Sequence, residues 1–536
     1  MLGQWLEDIV KETMEFWGIP GLSIAIVRDT QVILSQGFGF RNLEERLPVT
    51  PQTIFATGSS TKAFTATAIG ILVDRGQVTW DSPVRNYLAT FRVFSRHASE
   101  DITLRDLVTM RSGLPGYDVI WFGSNGSCPY TQQELYQHLT FMKSTHELRS
   151  IFQPQNLLYT VAGMVVGHVS ESTWETFVQH EIFDALGMAD SNFSVKESQL
   201  SDNFAQPYEC DKNSLKKLVL RDVDAIGPAG SINSTPLDMA KWLILNLNSG
   251  KYGDRQLIAS ETLSKMQMPQ FVVNSNTTDF AHFTPNSNND TMDHARLLTS
   301  IRKRHSLRSL LGGTVKAKHE ANLDIFYPVS YGLGWLTSAY RGHYLIETSG
   351  GIDGFTAMVS LMPNSNLGLV ILTNLNKTMG AKSLTYQIYD RLLDLTPLPW
   401  NLILQQEVEE EKKKTEEKWD KILAGRKPWL KPFHPLVDYL GKFANSSLGY
   451  LSITMNEGCM VAVYNDIAYI LEPYCHDTFL ATLAPYNKIT NNGSPYPNPI
   501  LLSYYTDTNG ELSRLSFPLE PALQELIFNR LPNAEW

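Results

Sequence analysis

The sequence predicts an α+β chain in which an antiparallel sheet, flanked by helices and carrying a helical subdomain, is followed by a small all-β barrel. Three observations predict this. A β-hairpin pattern at 21–40 and β patterns at 331–374 enclose a helical middle, so one sheet is assembled from both ends of a domain. From about 434, short β segments recur at roughly ten-residue spacing, with turns such as Asn456-Glu457-Gly458 and Asn509-Gly510. The 536 residues also exceed what one hydrophobic core accommodates. The expected division is 1–398 for the first domain, 399–433 for a charged helical linker and 434–536 for the β domain.

Taken in order, MLGQWLEDIVKETMEFWG reads as an amphipathic helix. GLSIAIVRDTQVILSQGFGF reads as two strands around Asp29-Thr30. Residues 59–75 read as a helix with Ser59 or Ser60 as N-cap and Gly76 just past its end. Its body, AFTATAIGILV, is apolar nearly all round, which marks a helix at the centre of a domain. Leu157 to Val169 and Trp174 to Leu186 continue the helical middle. Residues 270–325 are polar, then basic over 302–319, and read as an insertion with a solvated charge run; a lipid- or anion-binding role is the alternative. Tyr331 to Trp335 reads as a strand. Phe355 to Met362 and Leu367 to Asn374 read as a hairpin around Pro363-Asn364, and 380–396 as a closing helix. Residues 403–423 form a charged helix with Glu409–Lys413 and Glu410–Lys414 in favourable i,i+4 order.

The composition restricts the function. A net charge of −10 and a pI near 5.7 exclude a nucleic-acid partner, since phosphate binding needs a basic surface. No apolar run is long enough to span a bilayer. No C-x-x-C or H-E-x-x-H spacing indicates a metal site. Cys128, Cys210, Cys459 and Cys475 permit two disulfides, with Cys459 and Cys475 flanking one hairpin; four buried thiols are the alternative. Asn-x-Ser/Thr sequons begin at Asn125, Asn192, Asn233, Asn276, Asn289, Asn376, Asn445 and Asn492. With the even cysteine count they point to a secreted protein. The N-terminus, without a basic start and apolar centre, points to a cytoplasmic one.

The chemistry centres on Ser59-Ser60-Thr61-Lys62. At a helix N-terminus residues i and i+3 share a face, so the Lys62 amine reaches the Ser59 hydroxyl. A free serine is a poor nucleophile and needs an adjacent base. A lysine serves when burial and neighbouring cations lower its pKa. The helix N-terminus also aims the Ser59 N–H at a developing oxyanion. The spacing alone is unspecific, because Ser214-Leu215-Lys216-Lys217 and Ser300-Ile301-Arg302-Lys303 share it. An N-capping serine beside a snorkelling lysine would look the same.

From Gly21 to about Tyr389 the chain resembles class C beta-lactamases, penicillin-binding proteins and their esterase and D-aminopeptidase relatives. The stretches that carry the resemblance are GLSIAIVRD, FATGSSTKAFTATAIGILVDRG, LRDLVTMRSGLP, NLLYTVAGMVVGHVS, PAGSINSTPLDMAKWLILNLNSG, YGLGW, TSGGIDGF and LGLVILTN. Residues 434–531 are similar to the lipocalin-like module that follows this domain in such peptidases. The resemblance implies Ser59 as acylated nucleophile and Lys62 as general base. It aligns Asn156 with the asparagine of the family's Tyr-x-Asn motif, and Pro154 with its tyrosine. It aligns Thr348-Ser349-Gly350 with Lys-Thr-Gly or His-x-Gly, so that Thr348 replaces the cation and the Gly351 N–H completes the oxyanion hole on a glycine-rich edge strand near 350. Proline cannot relay a proton to the leaving group, and threonine supplies no positive charge. Tyr159, His343 and His168 are candidate substitutes, with packing or structural roles as the plainer reading; Ser112 matches a loop position. The resemblance therefore implies a serine hydrolase of weakened activity on a small-molecule or peptide substrate, with no cofactor, or alternatively a non-catalytic extracellular matrix or binding protein that keeps the fold.

Overall fold

The computed structural model describes residues 3–123, 126–211, 214–273, 329–484, 499–523 and 525–532. Among these, nine strands form one sheet in the order Phe271–Val272, Ser330–Tyr331, Leu336–Tyr340, His343–Ile352, Phe355–Met362, Leu367–Thr373, Gly21–Arg28, Gln31–Asn42 and Leu47–Pro48. Every pairing is antiparallel. The strand nearest the N-terminus pairs with Leu367–Thr373 in the register Ile24↔Ile371, so both ends of the domain meet at the middle of one sheet. These two strands are almost wholly buried, which requires helices on both faces. Helices Gly3–Trp17 and Gly380–Leu392 pack against each other, the latter on Phe355–Met362 and Leu367–Thr373. Helix Pro236–Leu247 packs on Leu367–Thr373 and Gly21–Arg28. The hairpin turn is Asp29-Thr30 with φ of 49° and 65°, the left-handed pair that a two-residue turn needs to match strand twist.

The helical middle contains Thr61–Asp74, Asn156–Val169 and Trp174–Val178, the last continued through Gln179–Phe183 and Asp184–Leu186. Twelve of the fourteen residues of Thr61–Asp74 are buried, as an all-round apolar helix requires. Its start differs from the expectation. Gly58–Ser60 forms a 3-10 turn, Ser60 occupies the N-cap without a side-chain capping bond, and its hydroxyl is buried without a partner.

Tyr331 to Trp335 is not a strand. The chain pairs through Ser330–Tyr331 and Leu336–Tyr340, and the glycines between them turn it. A side chain at Gly332 would meet the Met266 carbonyl oxygen at 2.4 Å, and one at Gly334 (φ +84°) the Ala66 Cβ at 2.8 Å. The glycines let this turn lie on the helices rather than extend a sheet. The basic stretch 302–319 lies outside the described residues.

The charged helix runs Trp400–Ala424 and begins inside the first domain, with Trp400, Ile403, Leu404 and Glu407 buried. Asp390 anchors this junction. Its carboxylate accepts from the Tyr340 hydroxyl (2.6 Å), Arg341 Nη1 (2.6 Å), Trp400 Nε1 (2.9 Å) and the Leu398 N–H (3.1 Å). Asp390→Leu would remove the acceptor shared by a guanidinium and three further donors in a closed core. The expected cost is about 3–5 kcal/mol, read as a lowered urea midpoint; an unchanged midpoint would contradict this role.

Eight antiparallel strands from Gly441–Asn445 to Ile527–Arg530 close into a barrel, the first pairing with the last. Phe443, Tyr464, Tyr469, Phe479, Tyr504 and Phe528 are buried in it. All four cysteines are free, and Cys210 and Cys459 are exposed, so neither the expected pairing nor four buried thiols is realised. Met460 pairs with Leu471, which puts Cys459 level with Glu472. Cys475 is three residues further, roughly 10 Å away, beyond the Cα separation a disulfide bridges. Among the described sequons, Asn192 and Asn233 are buried, and both ends of the Asn445 amide are engaged in hydrogen bonds. No helix among the described residues is long and apolar enough to cross a membrane.

Candidate active site

The Ser59 hydroxyl sits at the 3-10 turn leading into Thr61–Asp74. Helical spacing puts Lys62 on the same face, and its Nζ donates to Ser59 Oγ at 2.8 Å and to the Ala229 carbonyl at 3.0 Å. The Lys62 Nζ also faces the Tyr159 ring, 5.5 Å from its centroid. Lys62 is 1% exposed and Ser59 6%, so the bond between them is buried. The segment around Ala229 is pinned to the helix start. Thr57 donates through N and Oγ1 to the Ile232 carbonyl, Thr61 Oγ1 accepts from the Ile232 N–H at 3.1 Å, and Thr65 donates to the Pro228 carbonyl at 2.6 Å.

The glycine-rich strand His343–Ile352 crosses this turn. It is not an edge strand over its first half, where Leu336–Tyr340 pairs with residues 343–347. That pairing ends at Glu347. From Thr348 onward, among the described residues, the strand pairs only with Phe355–Met362, and its other side is an edge. A Cβ on Gly350 would lie 1.8 Å from the Thr57 carbonyl oxygen and 2.8 Å from the Ser59 nitrogen. One on Gly58 (φ +52°) would lie 2.8 Å from the Gly351 nitrogen. Glycine on both partners thus brings the 351 and 59 amides together at the mouth of the serine. Strand alternation puts Thr348 on the same face as Gly350, where it is 5% exposed, and Ser349 on the other, with its hydroxyl buried and unpartnered.

Asn156 opens helix Asn156–Val169, with Gln155 as its N-cap. Asn156 Nδ2 donates to Asp118 Oδ1 at 2.9 Å. Pro154 is buried beside it. Tyr159 is fully buried and its hydroxyl donates to the Val108 carbonyl at 2.7 Å, so it packs against Lys62 by its ring and offers it no proton. His343 is paired with Ser365 eight residues up the strand, roughly 26 Å from Gly351. His168 is exposed at the far end of its helix. Ser112 accepts the Leu114 N–H within its loop.

The charged residues nearest this cluster were missed in the sequence. Asp118 also accepts from Trp121 Nε1 at 2.9 Å. Its burial pushes its carboxyl above the ordinary range, against the bonds from Asn156 and Trp121 and the charge of Lys62. A single acid inside LPGYDVIWF was the available signal. Arg221 joins this turn to the end of the glycine strand: its guanidinium bonds Asp353 at 2.9 Å, donates to the Gly123 carbonyl at 2.8 Å and lies 3.5 Å from the Phe122 ring centroid.

The profile of the Beta-lactamase family matches residues 6–392, well over half the chain. The chain belongs to the Beta-lactamase family. Among the relatives of this Beta-lactamase family chain is the unguisins hydrolase ungD' of Aspergillus campestris, 26% identical over 474 residues, covering 85% of this chain and 78% of that protein. Protein flp of Staphylococcus aureus is 22% identical over 70% of this chain; the match spans 63% of flp, under two thirds of its length. The octameric penicillin-binding protein homologue from Pyrococcus abyssi superposes with a TM-score of 0.58 at 21% identity, over 98% of this chain and 99% of that one. A penicillin-binding protein from Bacillus halodurans superposes over 71% of the chain with a TM-score of 0.53 at 20% identity. The Pyrococcus match runs through the barrel as well as the sheet domain, so the mixed Beta-lactamase fold with a closed C-terminal barrel is shared architecture.

Proposed function

We propose that the chain is a serine hydrolase that acylates Ser59 on an ester or amide of a small molecule or peptide. The observation that carries this reading is the 2.8 Å bond between the Lys62 amine and the Ser59 hydroxyl, beneath the Gly350-Gly351 edge. A relative with hydrolase in its name favours the same class. In this reading neutral Lys62 takes the hydroxyl proton as Oγ attacks the carbonyl carbon. The oxyanion is held by the N–H groups of Ser59 and Gly351. Collapse expels the leaving group, which takes the proton back from Lys62. Water then attacks the acyl-serine with Lys62 again as base; the Oγ–acyl bond breaks, Oγ takes the proton back from Lys62 and the acid leaves.

Pro154 and Thr348 weaken the second half of this cycle. General acid–base help contributes about 10²–10⁴ in rate; proline cannot relay a proton, and threonine supplies no positive charge. An ester is the better substrate, because an alkoxide leaves with less proton assistance than an amine. Turnover is expected to be slow, with the acyl-enzyme accumulating. The same two replacements, with the narrow exposure of Ser59, favour the second reading: a binding or matrix protein that keeps the fold.

A fluorescent fluorophosphonate or penicillin probe separates the two. Labelling of the wild type that vanishes in Ser59→Ala, with an unchanged melting curve, is the expected result. A well-folded wild type that takes no label would transfer the chain to the binding reading.

A further inference from the structure

Among the described residues, the barrel reaches across to the wall of the Ser59 site at the turn Tyr117–Trp121. The Glu520 carboxylate accepts the Tyr117 N–H at 2.6 Å through Oε2 and the Ala522 N–H of its own loop at 3.1 Å through Oε1. Asn465, at the tip of a barrel hairpin, donates through Nδ2 to the carbonyls of Val119 and Ile120, both at 3.1 Å. One barrel residue therefore holds the turn's donor and another its acceptors. The turn needs holding: Tyr117 stands at φ 51°, a left-handed conformation strained for a bulky residue. Between these anchors lies Asp118, which receives Asn156 and Trp121 and interacts with the charge on Lys62.

We propose that Glu520 and Asn465 are positioning residues: the barrel clamps the Tyr117–Trp121 turn, and through Asp118 and Asn156 sets the wall against which Lys62 and Ser59 act. This rests on Ser59 being the nucleophile. The barrel is then part of the hydrolytic machinery and not an appended module.

The clamp titrates. Burial raises the Glu520 carboxyl to about 7, with the Asp118 charge adding to the shift and the two accepted N–H groups opposing it. The titratable groups facing it are Asp118, itself pushed up by burial and facing Lys62, and the Tyr117 phenol, which burial raises first and the Glu520 charge raises further. Ionised Glu520 accepts fully at both oxygens; protonated, one oxygen becomes a hydroxyl and that grip weakens. The clamp therefore tightens as pH rises through about 7. Its stability linkage has the opposite sign: a carboxyl raised in the folded state favours folding below its ordinary pKa, and that contribution is lost as pH rises toward the folded value.

The test measures the rate constant for fluorophosphonate labelling of Ser59 from pH 5.5 to 8.5 in wild type, Glu520→Gln, Glu520→Ala and Asn465→Ala. Losing the clamp in the alanine variants is expected to slow labelling by up to the order of 10²-fold, the scale of a 1 Å misplacement. Glutamine keeps one acceptor and cannot titrate, so it should recover much of the rate. The wild-type-to-Gln ratio, which cancels pH effects common to both proteins, should rise with a midpoint near 7. A readout without chemistry runs beside it. In protein carrying 5-fluorotryptophan, the Trp121 resonance, assigned by its loss in Trp121→Phe, should titrate near pH 7 in wild type and not in Glu520→Gln. Rates within twofold of wild type in all three variants, or a flat ratio with an unmoved Trp121 resonance, would overturn the proposal. If Ser59 labels in no variant at any pH the hydrolase reading fails alone, and the Trp121 titration decides whether the clamp exists.

Discussion

Replacing Lys62 by methionine is expected to slow Ser59 labelling by about 10²–10⁴-fold, the usual contribution of a positioned base, while the protein stays folded. Lys62 is 1% exposed in the first turn of a buried helix, so its chain already occupies core space that methionine fills. The substitution removes the bonds to Ser59 and Ala229, each worth about 1 kcal/mol net. It also removes the cost of holding an amine away from water, which acts in the other direction. The melting temperature should therefore move by only a few degrees. Labelling kinetics and thermal unfolding of one preparation check both halves. Wild-type labelling in the methionine variant would show that this amine is a core residue and not a base.

Gly350→Ala should be more damaging to the fold. Its Cβ would lie 1.8 Å from the Thr57 carbonyl oxygen, a backbone atom that cannot rotate aside. Either the strand end or the turn at 57–59 must withdraw, and both belong to the candidate oxyanion site. Overpacking of this kind costs about 3 kcal/mol, and Ser59 labelling should disappear even where the variant remains folded at low temperature. A variant that labels normally would mean that the 351 amide takes no part in holding the oxyanion.

The two central residues of the proposed site were legible because they are neighbours in sequence. Ser59 and Lys62 sit one helical turn apart, and helical geometry alone brings amine to hydroxyl. The hairpins at Asp29-Thr30 and Pro363-Asn364 were legible for the same reason: a turn and its flanking strands are local. The errors arose where a local pattern had a non-local explanation. Tyr331 to Trp335 read as a strand, and its glycines instead admit two helices against a turn. Cys459 and Cys475 flank a hairpin, but the strand register leaves them out of step. Nothing local identifies Glu520, whose partner Tyr117 is 403 residues away.

By itself the sequence determined the buried helix that follows Ser59, the sheet closed by both ends of its domain and the β-rich tail. Only the tertiary structure decided that the glycine strand becomes an edge at Thr348, that Asp118 supplies the buried charge beside Asn156, and that the barrel grips the turn bearing it. Periodicity and spacing act over a few residues of chain and can be read there. Register, close backbone approach and buried carboxylates depend on which distant segments exclude water from one another, and that is settled only when the whole chain packs.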